Sequence, residues 1–276
     1  MGGDVRRAIA WFRRDLRLSD NRTLEAATAL AERVWPVFVA DPAPLAAHRD
    51  APGRVAWFGA NLRALDEALH DRGSGLTVLC GRPEDVLPAF AASVGAEVVL
   101  AGADEDPVAI QRDERVARSV RLTLVDDQRI VPPGQLRTHA GEPYAVYTPF
   151  RRALDAIVDE DRGLIAAADA DLGRLAPPER PGGSPAFPDV AVPHALPEPG
   201  ETAAAERLRR FLRAHVAGYR EERDRPDLDT TSRLSPDLRV GAISVRALWR
   251  AATNAVARGR ERGDAGLVRS AGAGRG

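Results

Sequence analysis

Between Tyr219 and Ser244 the chain reads YREERDRPDLDTTSRLSPDLRVGAIS, and its middle gathers hydroxyl groups ahead of a helix start. That middle is Thr230-Thr231-Ser232-Arg233-Leu234-Ser235-Pro236. Ser235 suits the N-cap, accepting from the free backbone N–H groups of the first turn, and Pro236 suits the first helical position. Hydroxyls and unpaired N–H groups ahead of such a helix make an anion site, because dipole and donors point the same way. A diphosphate-bearing cofactor is the chemistry such a site would take. The same spacing also describes a capped helix with a polar lead-in, and both readings stay open on spacing alone.

No other constellation competes. The histidines (His48, His70, His139, His194, His215) are scattered without a second ligand type at helical spacing, so no metal site is expected. Asp104-Glu105-Asp106 and Asp169-Ala170-Asp171 read as solvated carboxylates. The chain contains no Gly-x-Ser-x-Gly elbow and no Walker A loop. Catalytic acid, base or nucleophile residues are therefore assigned to none, and any chemistry would be carried by a cofactor.

The elements that must position the loop begin with Ala8–Phe12, a short apolar strand. Ser19 or Asp20 can cap a helix running to about Glu32, and Val34–Ala40 is a second strand. Val55, Phe58, Leu62, Leu65 and Leu69 recur at spacings of three and four, as on an amphipathic helix. Strands follow at Leu76–Cys80, Glu97–Ala101 and Arg121–Val125. Helices lie between them at Glu84–Ala92, interrupted by Pro88, and at Val108–Arg118. This alternation predicts an α/β fold, a Rossmann-like parallel five-stranded sheet covered on both faces.

If the strand order is 3-2-1-4-5, the ligand crevice falls between the first and fourth strands. It would be lined by Arg13, Arg14 and Asp15 on one side and Ala103, Asp104 and Glu105 on the other. Salt bridging and ligand contact are both open for Arg13, Arg14 and Asp15. Gly73-Ser74-Gly75 precedes a strand and lacks a third glycine, so it reads as a turn and a dinucleotide dehydrogenase is disfavoured.

Composition narrows the classes further. All 39 basic residues are arginine, and the net charge of −1 gives no global pull on nucleic acid, so DNA binding would need a local basic face. One cysteine, Cys80, precludes an intrachain disulfide and fits a reducing cytoplasm. No apolar run approaches the ~20 residues of a membrane span. A soluble cytoplasmic protein, without membrane or metal, is expected.

Two stretches then carry a resemblance. Ala10-Trp11-Phe12-Arg13-Arg14-Asp15-Leu16-Arg17-Leu18-Ser19-Asp20-Asn21 is similar to the opening signature of the photolyase/cryptochrome family. TSRLSP, following Tyr219, resembles the start of that family's flavin-binding domain, and Gly81-Arg82-Pro83-Glu84 and Tyr147-Thr148-Pro149-Phe150 are weaker matches. The resemblance runs from about Ala8 to Trp249 and is nearest the cyclobutane-dimer photolyases of class I.

It implies FAD as cofactor, with Tyr219, Thr231, Ser232, Arg233, Leu234 and Ser235 holding its diphosphate and ribityl part. It implies light-driven repair of cyclobutane pyrimidine dimers in DNA by photoexcited reduced flavin, with damaged DNA as partner and the chain a monomer. Arg223 corresponds to an arginine bordering the DNA-facing cleft, and an ion pair with Asp224 or Glu221 is its other reading. A light-harvesting antenna chromophore, of deazaflavin or folate type, belongs to the α/β domain of this family. Ala109 and Ile110 stand where folate-type members carry an Asn-Glu pair, so the antenna type stays undecided.

The expected organisation is an α/β antenna domain at 1–131, a linker with one helix (about Thr148–Asp159) at 132–200, and the start of an all-helical flavin domain at 201–276. Ala176–Gly200 is expected as an extended strap, and Ala203–Glu221 as one helix with Leu208, Leu212, His215 and Tyr219 on one side. After Trp249 no core periodicity is evident, which reads as a truncated or frame-shifted end. A piece so short is expected not to bind FAD tightly by itself and to be inactive alone. A non-catalytic antenna-domain remnant and a cryptochrome-type blue-light photoreceptor are the alternative functions.

Overall fold

The computed structural model describes residues 5–43, 50–132, 134–179, 190–193 and 195–267. The chain folds into two compact units. The first comprises 1–128, 168–203 and 236–243, and the second 129–167, 204–235 and 244–276.

The first unit is built on five parallel strands. These are β1 (Val5–Phe12), β2 (Ala31–Ala40), β3 (Thr77–Cys80), β4 (Val98–Gly102) and β5 (Leu122–Val125), in the order β3-β2-β1-β4-β5. The order supposed in locating the crevice is therefore the observed one. Helices α1 (Arg22–Leu30), α2 (Pro52–His70), α3 (Pro83–Val94) and α4 (Pro107–Ala117) make the crossovers. β1 is buried along Ala8–Phe12 because it is central and covered on both faces. Ile9 and Trp11 join one core with Val37, Leu87, Val99 and Val116. Ala8, Ala10 and Phe12 alternate to the other face.

Several boundaries differ from the sequence expectation, each for a local reason. The cap of α1 is Asn21, whose Oδ1 accepts from Leu24 N at 2.9 Å. Ser19 instead donates to Glu201, and Asp20 (φ 52°) accepts from Ala168 N at 3.0 Å. α1 stops at Leu30 and β2 starts at once, earlier than Val34. α3 runs through Pro88 and ends on Gly95 in the left-handed conformation, φ 67°. Gly73, φ 74°, lies in a turn as read, and Ser74 Oγ donates to Ala176 O.

Of the strap expected at Ala176–Gly200, residues 180–189 and 194 lie outside the described set. Just before it, Leu175 bridges Val34 of β2 in parallel, and Ala176 N donates to Val34 O at 2.7 Å. Gly200 N donates to Asn61 Oδ1 at 2.9 Å.

The second unit contains α5 (Tyr147–Glu160), a 3₁₀ turn at Arg162–Ile165, most of α6 (Glu201–Ala214), α7 (Tyr219–Glu222) and α9 (Val245–Glu261). The single helix expected over Ala203–Glu221 is two, because the chain turns after Ala214 and restarts behind Gly218. Beyond Trp249 the expected lack of core periodicity is corrected as well. α9 is a full helix to Glu261, capped by Ser244 Oγ accepting from Ala247 N at 2.9 Å, with Ala255 and Gly259 buried. Its small residues hid the packing face, since Gly259 sits against Leu267 where a hydrophobic pattern would look for a bulky side chain. α9 is tied down by Arg250 donating to Ile165 O at 2.6 Å, and the Arg151 guanidinium lies 4.6 Å over the Trp249 ring.

Candidate functional site

At the carboxyl ends of β1 and β4, where the strand order reverses, arginines and carboxylates close on one another. Arg13 chelates Asp113 at 2.7 and 2.8 Å and donates to Gly102 O. Arg112 reaches the same Asp113 oxygen from Nε at 2.9 Å and a terminal nitrogen at 2.8 Å. Both guanidiniums stack on Trp11, at 4.7 and 5.0 Å from its centroid. Burial, then the Arg13 charge, lowers the Arg112 pKa below its ordinary value. Arg14 pairs with Asp104 at 2.6 Å. Burial works to raise the Asp104 pKa, but the Asp106 N–H and the charges of Arg14, Arg13 and Arg112 outweigh it and hold that carboxyl below its usual range. Arg13 and Arg14 thus make the salt bridges that were one of their two open readings.

Deeper in the same loop, Asp15 is 1 % exposed and accepts from Arg13 N at 2.8 Å. Burial, reinforced by the charge of Asp127, pushes its pKa up to about 6 against the pull of the Arg13 amide, Arg17 and Arg13. Arg17 pairs with Asp127 at 2.5 Å and donates to Asp20 O at 2.8 Å and Gly241 O at 3.1 Å.

The hydroxyl loop lies in the second unit. Arg233 adopts φ 51°, the kind of backbone reversal from which anion-binding nests are made. Its side chain pairs with Asp229 at 2.7 Å, with both groups about two-thirds or more exposed, so the pair adds little stability. Leu234 is buried at 2 % and can offer a ligand only its backbone. Thr231 and Ser235 are exposed and Ser232 is half-buried. The short helix α8 (Ser235–Val240) includes Ser235 as its first residue, one position inside the expected cap.

Tyr219 opens α7, its ring edge-on to Phe211 with centroids 5.4 Å apart. Arg223 ends that helix, exposed, with Nε 3.5 Å from Asp224. The Asp224 pairing read as its alternative is thus present, and an exposed pair of that kind leaves the guanidinium free to exchange partners.

Thr230 adds what sequence reasoning left out. Its Oγ1 is buried and has no hydrogen-bond partner. An orphaned buried hydroxyl costs on the order of 1–3 kcal/mol, which a phosphate oxygen accepting from it would relieve. Hydroxyls at 230, 231, 232 and 235, one of them unsatisfied, fit the diphosphate of FAD. Only the hydroxyl type of Thr230 was visible in the sequence; its burial was not.

A family profile described as "DNA photolyase" matches residues 8–169, more than half of the chain. The chain belongs to the DNA photolyase family. Among relatives, a deoxyribodipyrimidine photo-lyase of Synechococcus sp. PCC 6301 is 35% identical over 90% of this chain and 54% of its own length. An "uncharacterized 31.6 kDa protein in atpI 5'region" of Synechococcus sp. PCC 6716 is 34% identical, with 90% of this chain and 89% of that protein covered. The solved class III photolyase of Agrobacterium tumefaciens superposes with a TM-score of 0.78 at 28% identity, covering 98% of this chain and 60% of that one. This photolyase-family chain thus spans about half the length of the photolyases it matches. The five-stranded α/β module is the one expected of the family. Among the described residues no helix is long and apolar enough to cross a membrane, and no cluster of three or more metal-ligating side chains occurs.

Proposed function

We propose that the chain contributes the antenna module and the first part of the flavin domain of a deoxyribodipyrimidine photolyase, a cytoplasmic monomer repairing cyclobutane pyrimidine dimers in DNA. The observation that carries this reading is the hydroxyl loop Thr230–Ser235, with an unsatisfied buried Thr230 Oγ1 and a left-handed Arg233, in a chain of this family. Thr231, Ser232 and Ser235 donate to the FAD diphosphate, Leu234 and Arg233 supply backbone N–H groups, and Tyr219 supplies a phenolic hydroxyl. Arg223, exposed on α7, meets DNA phosphate. When bound, reduced FAD supplies the photoexcited electron that opens the dimer. The antenna is of deazaflavin or folate type, and the Arg14–Asp104 end of the sheet is where it is sought.

Titrating FAD into the purified protein tests this reading. Saturable binding is expected, weakened tenfold or more by Thr231→Val combined with Ser232→Ala; no saturation at millimolar FAD would remove it. A second reading, a short module without catalysis, is favoured by the 31.6 kDa Synechococcus relative that this chain covers almost end to end. Loss of dimers from irradiated DNA in the light, with none lost in the dark, separates repair from that reading.

A further inference from the structure

Within the first unit, two buried carboxylates draw on one buried guanidinium. Asp15 and Asp127 are each 1% exposed and Arg17 is 3% exposed. The charges acting on Asp15 are those of Asp127, which follows β5, and of Arg17 and Arg13 in its own loop. Arg13 is committed to Asp113 of α4, which Arg112 also holds, and Arg14 is committed to Asp104. Asp127 takes Arg17 Nη2 at 2.5 Å and the Arg22 N–H at 2.9 Å. Asp15 makes no ion pair of this kind: its Oδ1 accepts from Arg13 N at 2.8 Å, which leaves Oδ2 to carry a proton. That Oδ2 and the Thr23 hydroxyl of α1 flank Gly102, 3.7 and 3.6 Å from where a Cβ would stand. Thr23 Oγ1 is buried and has no hydrogen-bond partner among the described residues, so a polar partner for a neutral carboxyl is at hand. The same Arg17 also holds residues 236–243, which belong to this unit. Its Nη1 donates to Gly241 O at 3.1 Å, beside Leu16 N donating to Val240 O at 3.1 Å. At the other end of the segment, Trp57 Nε1 on α2 donates to Pro236 O at 3.1 Å. Arg17 Nε is buried and without a partner, the donor that an ionised Asp15 would engage.

We propose that Asp15 is a proton-operated latch on residues 236–243: neutral, it leaves Arg17 to Gly241 O; ionised, it draws that guanidinium to itself. The proton passes to solvent and the new anion stands beside Asp127, where burial makes an unpaired charge costly. Arg17 Nε is the donor within its reach. Because the guanidinium is a rigid plane, turning Nε to Asp15 moves Nη1 off Gly241 O. Trp57 does not titrate and keeps Pro236 O, so the segment opens from its Gly241 end. Asp15 titrates at about 6, raised first by burial and then by Asp127. The latch is therefore closed in mild acid and opens as the pH rises through that value.

The full chain, labelled with 15N and 13C, is the material for the test. Amide hydrogen exchange is followed by NMR at pH 5 and 7.5, with protection taken against the intrinsic rate at each pH. The Leu16 amide should lose about tenfold more protection over this range than Ala10 in β1, which opens only with the sheet. The carbonyl shift of Gly241 should move with the same midpoint as the Asp15 carboxyl. Asp15→Asn keeps a neutral side chain and should hold both signals at their low-pH values throughout. Leu16 and Ala10 losing protection in parallel overturns the latch. So does a Gly241 carbonyl that stays still while Asp15 titrates, or one that drifts equally in Asp15→Asn. The wild-type titration needs no variant, so it decides the matter even where Asp15→Asn fails to fold.

Discussion

A methyl group at position 241 has nowhere to go. Gly241 is at φ +73°, and its would-be Cβ meets Arg14 O at 2.0 Å and Asp15 Cα at 2.6 Å. Gly263 has a similar φ of +68° but nothing within 4 Å. The pair separates backbone strain from collision. Gly263→Ala should cost about 1 kcal/mol, the penalty of the left-handed region, whereas Gly241→Ala should cost more than about 3 kcal/mol or prevent folding. Urea unfolding of both variants checks this, and equal losses would refute it.

Asp15 makes the second prediction at this scale. Its folded pKa of about 6 lies above the 3.8 of an ordinary aspartate, chiefly through burial and then through Asp127. Stability held by the protonated form is complete below pH 3.8 and is lost as pH rises through 6. The loss is about 3 kcal/mol. Asp15→Asn should flatten this part of the stability profile between pH 4 and 6. A variant with the wild-type slope would place the titration elsewhere.

Among elements, the loop after β1 is the one whose stability others depend on. Asn21 caps α1 with its oxygen and donates from Nδ2 to Asp15 O at 3.2 Å and Arg17 O at 3.0 Å, at 1% exposure. Asn21→Ala removes a cap and takes the side-chain donor from Arg17 O, while Asp15 O keeps the Arg17 N–H at 2.7 Å, so a loss of roughly 2–4 kcal/mol is expected. Asn21→Asp retains the cap oxygen but not the two donors. It should recover only part of that loss, and thermal melting of the two variants orders them. The sequence placed this cap at Ser19 or Asp20 because all three residue types cap equally well; long-range partners Glu201 and Ala168 decide the matter. The strands were legible because buried parallel strands are continuous apolar runs. α9 was not, because the residues it buries in its second half, Ala255 and Gly259, are small and do not stand out as a core face.

At the scale of the molecule, the five-stranded parallel sheet was readable from element alternation and the rules of right-handed crossovers, while its strand order was a supposition that the structure bears out. The partners of the candidate site were not. Arg17 and Asp127 are 110 residues apart, and Arg17 and Gly241 are 224 apart; nothing in either neighbourhood announces the other. Gly241 alone had a local signal, a glycine just past a helix end. The hydroxyl loop was found by residue type, while the buried Thr230 oxygen and the Trp57 hydrogen bond to Pro236 O needed coordinates.

The first unit is assembled from three separated stretches, 1–128, 168–203 and 236–243. During synthesis on the ribosome, the sheet can pair long before its last stretch has been made. Arg17 must then wait for residue 241 to leave the exit tunnel. Closing a contact of that sequence separation is slow compared with local pairing. The final step in maturing this module should therefore be the seating of a short helix against a sheet already formed.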